Sequence, residues 1–158
     1  MRQALLLAIS AILLFTTSCT RTNGPVIMSP FEKLQGEWYY NKAFFVYNSG
    51  IVRDDVLNDF IDCRILFDGN IIIMENLRTG QVLEGTFELY RDDVGGYWDE
   101  NGIYQEDIER FLTAYLYDTR TNRRFTYDWQ INYLTCNKLN FGEFYADGNY
   151  SFKMKKVY

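Results

Sequence analysis

The chain has no histidine, two prolines and three cysteines in 158 residues. The missing imidazole removes the commonest general base, the usual Ser–His and Cys–His nucleophile pairs, and most zinc sites. Scarce proline, set beside 47% apolar residues, argues against a chain that stays unfolded. Basic residues are also in deficit. The 16 Lys and Arg against 21 Asp and Glu leave a net charge of −5, the wrong sign for a partner with a phosphate backbone, so no nucleic acid is expected. G-x-x-x-x-G-K, G-x-S-x-G and C-x-x-C are all missing. The acids offer many pairs, but no pair is singled out by its neighbours for glycoside hydrolysis. The sequence therefore reads as a non-enzyme, without a cofactor and without a metal.

Long apolar runs are missing too. The charge-free stretch Ala4 to Phe15 falls short of the ~20 residues a bilayer-spanning helix needs. With Arg2 ahead of it and Thr16, Thr17 and Ser18 behind it, the stretch fits a secretory signal peptide. Phe15-Thr16-Thr17-Ser18-Cys19 resembles the lipobox of bacterial lipoproteins, with Thr16 standing where the family usually has Leu. The resemblance implies cleavage after residue 18 and acylation of Cys19 on sulfur, for example by palmitate. Thr20-Arg21-Thr22-Asn23 carries no acid, which in that family favours the outer membrane facing the periplasm over the cell surface. An ordinary secretory signal, with Cys19 a plain thiol, is the alternative. The expected organisation is a signal peptide over 1–18, a tether over 19–30 and one domain over 31–158.

What the chain does have is aromatic residues, 18% of the total, set in period-2 alternation. Ser29-Pro30-Phe31-Glu32 is a capping-box start for one helical turn that ends at Gly36. Strands are expected over 37–47, 61–67, 70–76, 81–90, 110–118, 123–133, 137–145 and 149–156. Asp68-Gly69 and Asp147-Gly148 supply hairpin turns. Eight short antiparallel strands joined by tight turns predict an all-β, up-and-down barrel, which removes exposed edges and can just hold a small ligand. An acidic connection is expected over 91–109, holding Asp92, Asp93, Asp99, Glu100, Glu106, Asp107 and Glu109. It fails as an EF-hand: with Gly102 at the glycine position, Tyr97 and Ile108 fall where ligands belong.

At Leu34-Gln35-Gly36-Glu37-Trp38 the chain resembles the lipocalin-like (calycin) superfamily, whose G-x-W opens the first strand. Ile131-Asn132-Tyr133-Leu134-Thr135 followed by Leu139-Asn140-Phe141 is similar to the C-terminal half of bacterial lipocalin-like lipoproteins. The resemblance gives Gly36 and Trp38 a structural role, with Trp38 plugging the closed end. Members often pack an Arg over that Trp; here Lys153, Lys155 or Lys156 must serve. The first loop, 48–60, lies where the family places a lid, and Val52, Val56, Leu57 and Phe60 in it have helical spacing.

Strand parity puts Phe44, Phe87, Tyr115, Tyr117, Tyr127, Trp129 and Phe152 inside the open half as ligand-binding candidates. Arg53, Arg78, Arg120, Arg123 and Arg124 fall at the open rim, which points to an amphipathic ligand with an anionic or polar head. Two functions from different classes follow. One is a membrane-anchored, monomeric protein that binds a small apolar or amphipathic molecule in the barrel. The other is an envelope interaction or inhibitor protein whose barrel is filled solid. Cys63 and Cys136 fall at opposite ends and are expected to be free, mostly buried thiols.

Overall fold

The computed structural model describes residues 28–48, 50–98, 100 and 104–158, and in 93–98 and 104–108 only the backbone is described. Residues 1–27, which hold the expected signal peptide, Cys19 and most of the expected tether, lie outside the described residues, as does Asp99. The element order is α1 (Pro30–Leu34), β1 (Gly36–Tyr47), β2 (Arg53–Asp55), α2 (Leu57–Phe60), β3 (Cys63–Asp68), β4 (Ile71–Asn76), β5 (Gln81–Trp98), β6 (Tyr104–Asp118), β7 (Arg123–Leu134), β8 (Lys138–Phe144) and β9 (Gly148–Lys156). Every pairing is antiparallel. β1 pairs with both β3 and β9, so eight strands close an up-and-down barrel. The ninth, β2, is a three-residue strand inside the first loop; it covers the edge that β1 presents after β3 leaves it.

One end is closed by the segment around Trp38. The Ser29 hydroxyl accepts from Glu32 N (3.2 Å) and the Glu32 carboxylate accepts from Ser29 N (2.7 Å), so the expected capping box starts α1. Gln35 clamps the β3–β4 turn: its carbonyl accepts from Gly69 N (2.7 Å) and its amide donates to Gly69 O (3.2 Å). Gly36 then turns the chain into β1 at φ +109°, a backbone angle that L side chains rarely adopt. Trp38 is fully buried, and its indole donates to Leu34 O at 2.6 Å. Of the three candidate lysines, Lys156 is the one over this ring. Its ammonium lies 4.9 Å from the Trp38 ring centroid and donates to Lys33 O at 2.9 Å.

The acidic connection over 91–109 is different from the irregular loop expected. β5 and β6 run on through it as a paired ribbon that extends past the barrel at the closed end, broken by one irregularity between Asp93 and Gly96. Cross-strand pairing continues past the point where the alternating apolar pattern stops. The barrel needs only the first part of this hairpin; the rest is an arm.

Candidate functional site

The barrel core runs from Leu34, Trp38 and Phe67 at the closed end through Phe141 and Phe152 in the middle. Toward the mouth it becomes half-buried and aromatic, with Phe125, Tyr127 and Tyr150 packed against the core. The lid sits above them. Asp55 accepts from Leu57 N (3.0 Å) and Val56 N donates to Ala43 O (3.0 Å), which turns the chain into α2 and presses Val56, Leu57 and Phe60 onto the core. The Phe60 ring lies 4.9 Å from Phe152, 5.3 Å from Tyr40 and 5.9 Å from Tyr150.

One acid shares this interior. Leu139, Phe141 and Glu143 follow one another on the inner face of β8, and Glu143 stands opposite Tyr150. Its half-buried carboxylate accepts from the Tyr145 hydroxyl at 2.8 Å. Burial pushes its pKa up, only partly offset by the Tyr145 hydroxyl and the nearby Trp129 indole. That indole is 3% exposed, and its N–H lies close enough to the carboxylate to favour the ionised form yet closes no hydrogen bond of ordinary geometry, so both groups are incompletely satisfied. The Tyr40 phenol is raised by burial, by the thiol Cys63 and by Glu143 itself; Tyr127 is raised by burial and then by Glu143. All four effects favour whatever brings positive charge or hydrogen-bonding groups to the spot.

Of the parity-based candidates, Tyr127, Trp129 and Phe152 are brought together here. Tyr127 stacks on Trp129 (5.7 Å between centroids), and Phe141 bridges Trp129 (4.8 Å) to Phe152 (5.0 Å). Phe87 is inside but at the other end, 5.0 Å from Phe67 and 5.8 Å from Phe31 of α1. Three candidates point outward. A bulge at Asn41 shifts the register between Tyr40 and Lys42, so Ala43 faces in and Phe44 faces out, under the Arg53 guanidinium at 4.7 Å. Tyr115 and Tyr117 alternate with the buried Leu112, Ala114 and Leu116 and are exposed at 46% and 38%.

The Arg rim also dissolves. Arg124 lies across from the outward Tyr117 and is exposed. Arg78 pairs with Asp62 at 2.7 Å, and Arg120 donates to Gly80 O at 2.9 Å. Asp118, placed at the rim by sequence, is 1% exposed and binds no Arg side chain. It accepts from the Gln81 amide (3.0 Å), Arg120 N (2.9 Å) and Thr121 N (3.2 Å), which fixes the β6–β7 turn and lowers its pKa, the Gln81 bond first. Sequence reasoning missed Glu143. Its signal was available: it is the one acid in phase with Leu139 and Phe141 on β8.

Cys63 and Cys136 are free thiols, each half-buried rather than fully buried. No group of metal-binding side chains occurs among the described residues, and no helix among them is long and apolar enough to cross a membrane. No family model matches the chain, and neither the curated proteins nor the solved structures contain a match to it. The reading of function therefore rests on the chain itself.

Proposed function

We propose that this chain is a lipid-anchored, lipocalin-like envelope protein that binds one small amphipathic molecule at the barrel mouth, beneath the Leu57–Phe60 lid, without catalysing a reaction. The observation that carries the reading is the half-buried Glu143 carboxylate on the inner face of β8, with the buried Trp129 N–H beside it short of an ordinary hydrogen bond. A barrel evolved only to be filled gains nothing from an acid and an orphan donor at that level, because each unmet polar group costs about 1–3 kcal/mol. Aromatic rings around a carboxylate suit a ligand with an apolar body and a cationic head, since ring faces and carboxylate both attract positive charge. Arg124 lies outward and Arg53, Arg78 and Arg120 are engaged, which leaves Arg123, exposed and in phase with Phe125 and Tyr127, against the deeper Glu143 carboxylate as the charge an anionic head would meet. Cys19, acylated, would hold the domain to the outer membrane on its periplasmic side, as a monomer.

The test is calorimetric titration of the intact protein with octyltrimethylammonium, octanol and octanoate. The cation should bind best, and Glu143→Gln should remove its advantage over octanol while leaving octanol binding in place. Equal affinities in the wild type would remove the Glu143 role. No binding by octyltrimethylammonium or octanol would favour the second reading, a filled barrel that acts through its outer surface. One observation supports that alternative: the Trp129, Phe141 and Phe152 rings, side by side on β7, β8 and β9, meet at 4.8–5.0 Å and are each 3% exposed or less.

A further inference from the structure

A cleft of about 340 Å³ lies outside the barrel at the closed end, between α1 and the base of the β5–β6 arm. Its volume is in the range of small-molecule sites. Pro30 and Phe31 form one wall; Leu89, Arg91 and Arg110 form the other. Both walls are braced. Phe31 stacks on Phe87 at 5.8 Å, and Tyr90 stacks on Phe111 at 5.3 Å on the opposite face of the ribbon.

Arg91 and Arg110 are directly opposite in the β5–β6 register, in phase with the inward Leu89 and Leu112. Like charges at such positions, with Cβ atoms about 5 Å apart, destabilise a sheet. Acids stand one residue away, but Asp92 and Glu109 oppose each other on the other face of the ribbon. Neither Arg closes an ion pair among the described residues, whose ion pairs are Arg64–Glu37 and Arg78–Asp62. Glu32, the acid of α1, is held by Ser29 N and the Ser29 hydroxyl. A ribbon arranged for its own stability would set each Arg across from an acid. This one sets two cations side by side on the wall of an apolar cleft, and no acid among the described residues pairs with either.

We infer that this cleft is a binding site for an amphipathic anion, a carboxylate or phosphate head on a short apolar body, with the head held between Arg91 and Arg110. Two guanidinium forks match such a head bidentately, and Phe31 and Leu89 cover the body. The site does not depend on the barrel mouth. It takes the opposite charge and sits at the opposite end.

The experiment is titration of the intact protein with octanoate and octyl phosphate against octanol. Both anions should bind more tightly than octanol, and Arg91→Gln or Arg110→Gln should each weaken them by about tenfold. Glu143→Gln should change nothing at this site. Arg110→Glu gives the discriminating readout. It places an acid across from Arg91, so anion binding should vanish while the melting midpoint of the ligand-free protein rises. A merely structural role for Arg110 would lower the midpoint. Phosphatidylcholine vesicles with and without phosphatidylglycerol separate the two sources of such a head. Retention on the anionic vesicles that Arg110→Glu abolishes assigns the head to a bilayer lipid; binding of the soluble anions alone assigns it to a free amphiphile. Equal affinity for octanoate and octanol, anion binding unchanged in both Arg→Gln variants, or no binding of either anion would overturn the inference.

Discussion

Lys156→Met isolates the charge at the closed end of the barrel, because methionine keeps most of the stem and loses the ammonium. Two of its interactions can be weighed. The ammonium 4.9 Å from the buried Trp38 ring contributes about 0.5–2 kcal/mol as a cation–π contact. The charged hydrogen bond to Lys33 O at 2.9 Å, which satisfies a carbonyl at the end of α1, contributes about 1.5–3 kcal/mol. Freeing a long side chain returns about 1.5–2 kcal/mol of rotamer entropy. The expected net loss is about 0–3.5 kcal/mol; its middle, about 2 kcal/mol, is roughly 4–8 °C in the melting midpoint of a chain this size. Thermal melts followed by far-ultraviolet circular dichroism measure it. Trp38→Leu in the same background completes a double-mutant cycle, and the coupling should be about 0.5–2 kcal/mol. Truncation to Trp38→Ala should cost more, about 3–5 kcal/mol, since it also empties the plug and strands Leu34 O. If Lys156→Met melts within a degree of wild type and the cycle shows no coupling, the ammonium is solvated and the closed end is held by packing alone.

The eight-strand barrel was legible because alternation and Asp-Gly turns are local signals: they place hairpins at 68–69 and 147–148 without reference to the rest of the chain. Which face turns inward was less legible. In β6 both faces are apolar. The aromatic face, Tyr115 and Tyr117, is the outer one, and the smaller face, Leu112, Ala114 and Leu116, is the inner one. The reason is volume. Trp129, Phe141 and Phe152 already fill the middle of a narrow barrel, so the facing strand must supply small residues. Tyr117 is served outside, where its hydroxyl donates to Asn122. Phe44 failed differently. Unbroken alternation after Tyr40 would face it inward; a single extra residue at Asn41 reverses every position after it, with no Gly or Pro to announce the bulge. The arm was hidden by its acids, since charge is depleted in strands and the connection looked like a solvated loop. For the site, the same volume argument explains why a search for aromatic walls overlooked Glu143: an acid in phase with core residues stands out only once the strand's inner face is known.

Cys19→Ala should abolish labelled-palmitate incorporation and release the protein from the membrane fraction; label still incorporated into the variant would defeat the lipoprotein reading. Gly85→Ala should destabilise by about 3 kcal/mol, the upper end for overpacking, because its Cβ would lie 1.8 Å from Tyr115 O, backbone that cannot step aside. Gly142→Ala, whose nearest neighbour is 3.4 Å away, should cost under about 1 kcal/mol, and equal losses in the two would refute the close approach of β5 to β6. Glu143→Gln should raise stability at neutral pH and not at acid pH. The groups facing the carboxylate are Tyr40 from β1, Tyr127 and Asp128 from β7, Trp129, and Tyr145; none of them brings positive charge. Burial raises the folded-state pKa above the ordinary 4.5, so between those two values the folded protein binds more protons than the unfolded chain. Stability therefore falls as pH rises through that window, and the cost persists above it. Glutamine keeps the shape and the acceptor for Tyr145 without the charge, so the variant and wild-type melting curves should coincide below pH 4.5 and separate above it, the variant higher. Octyltrimethylammonium should narrow the gap by stabilising the wild type more than the variant, because only the ionised carboxylate rewards the cationic head. A variant that melts lower than wild type at neutral pH would mean the carboxylate is stabilised where it stands, and the mouth would then have no charge to offer a ligand.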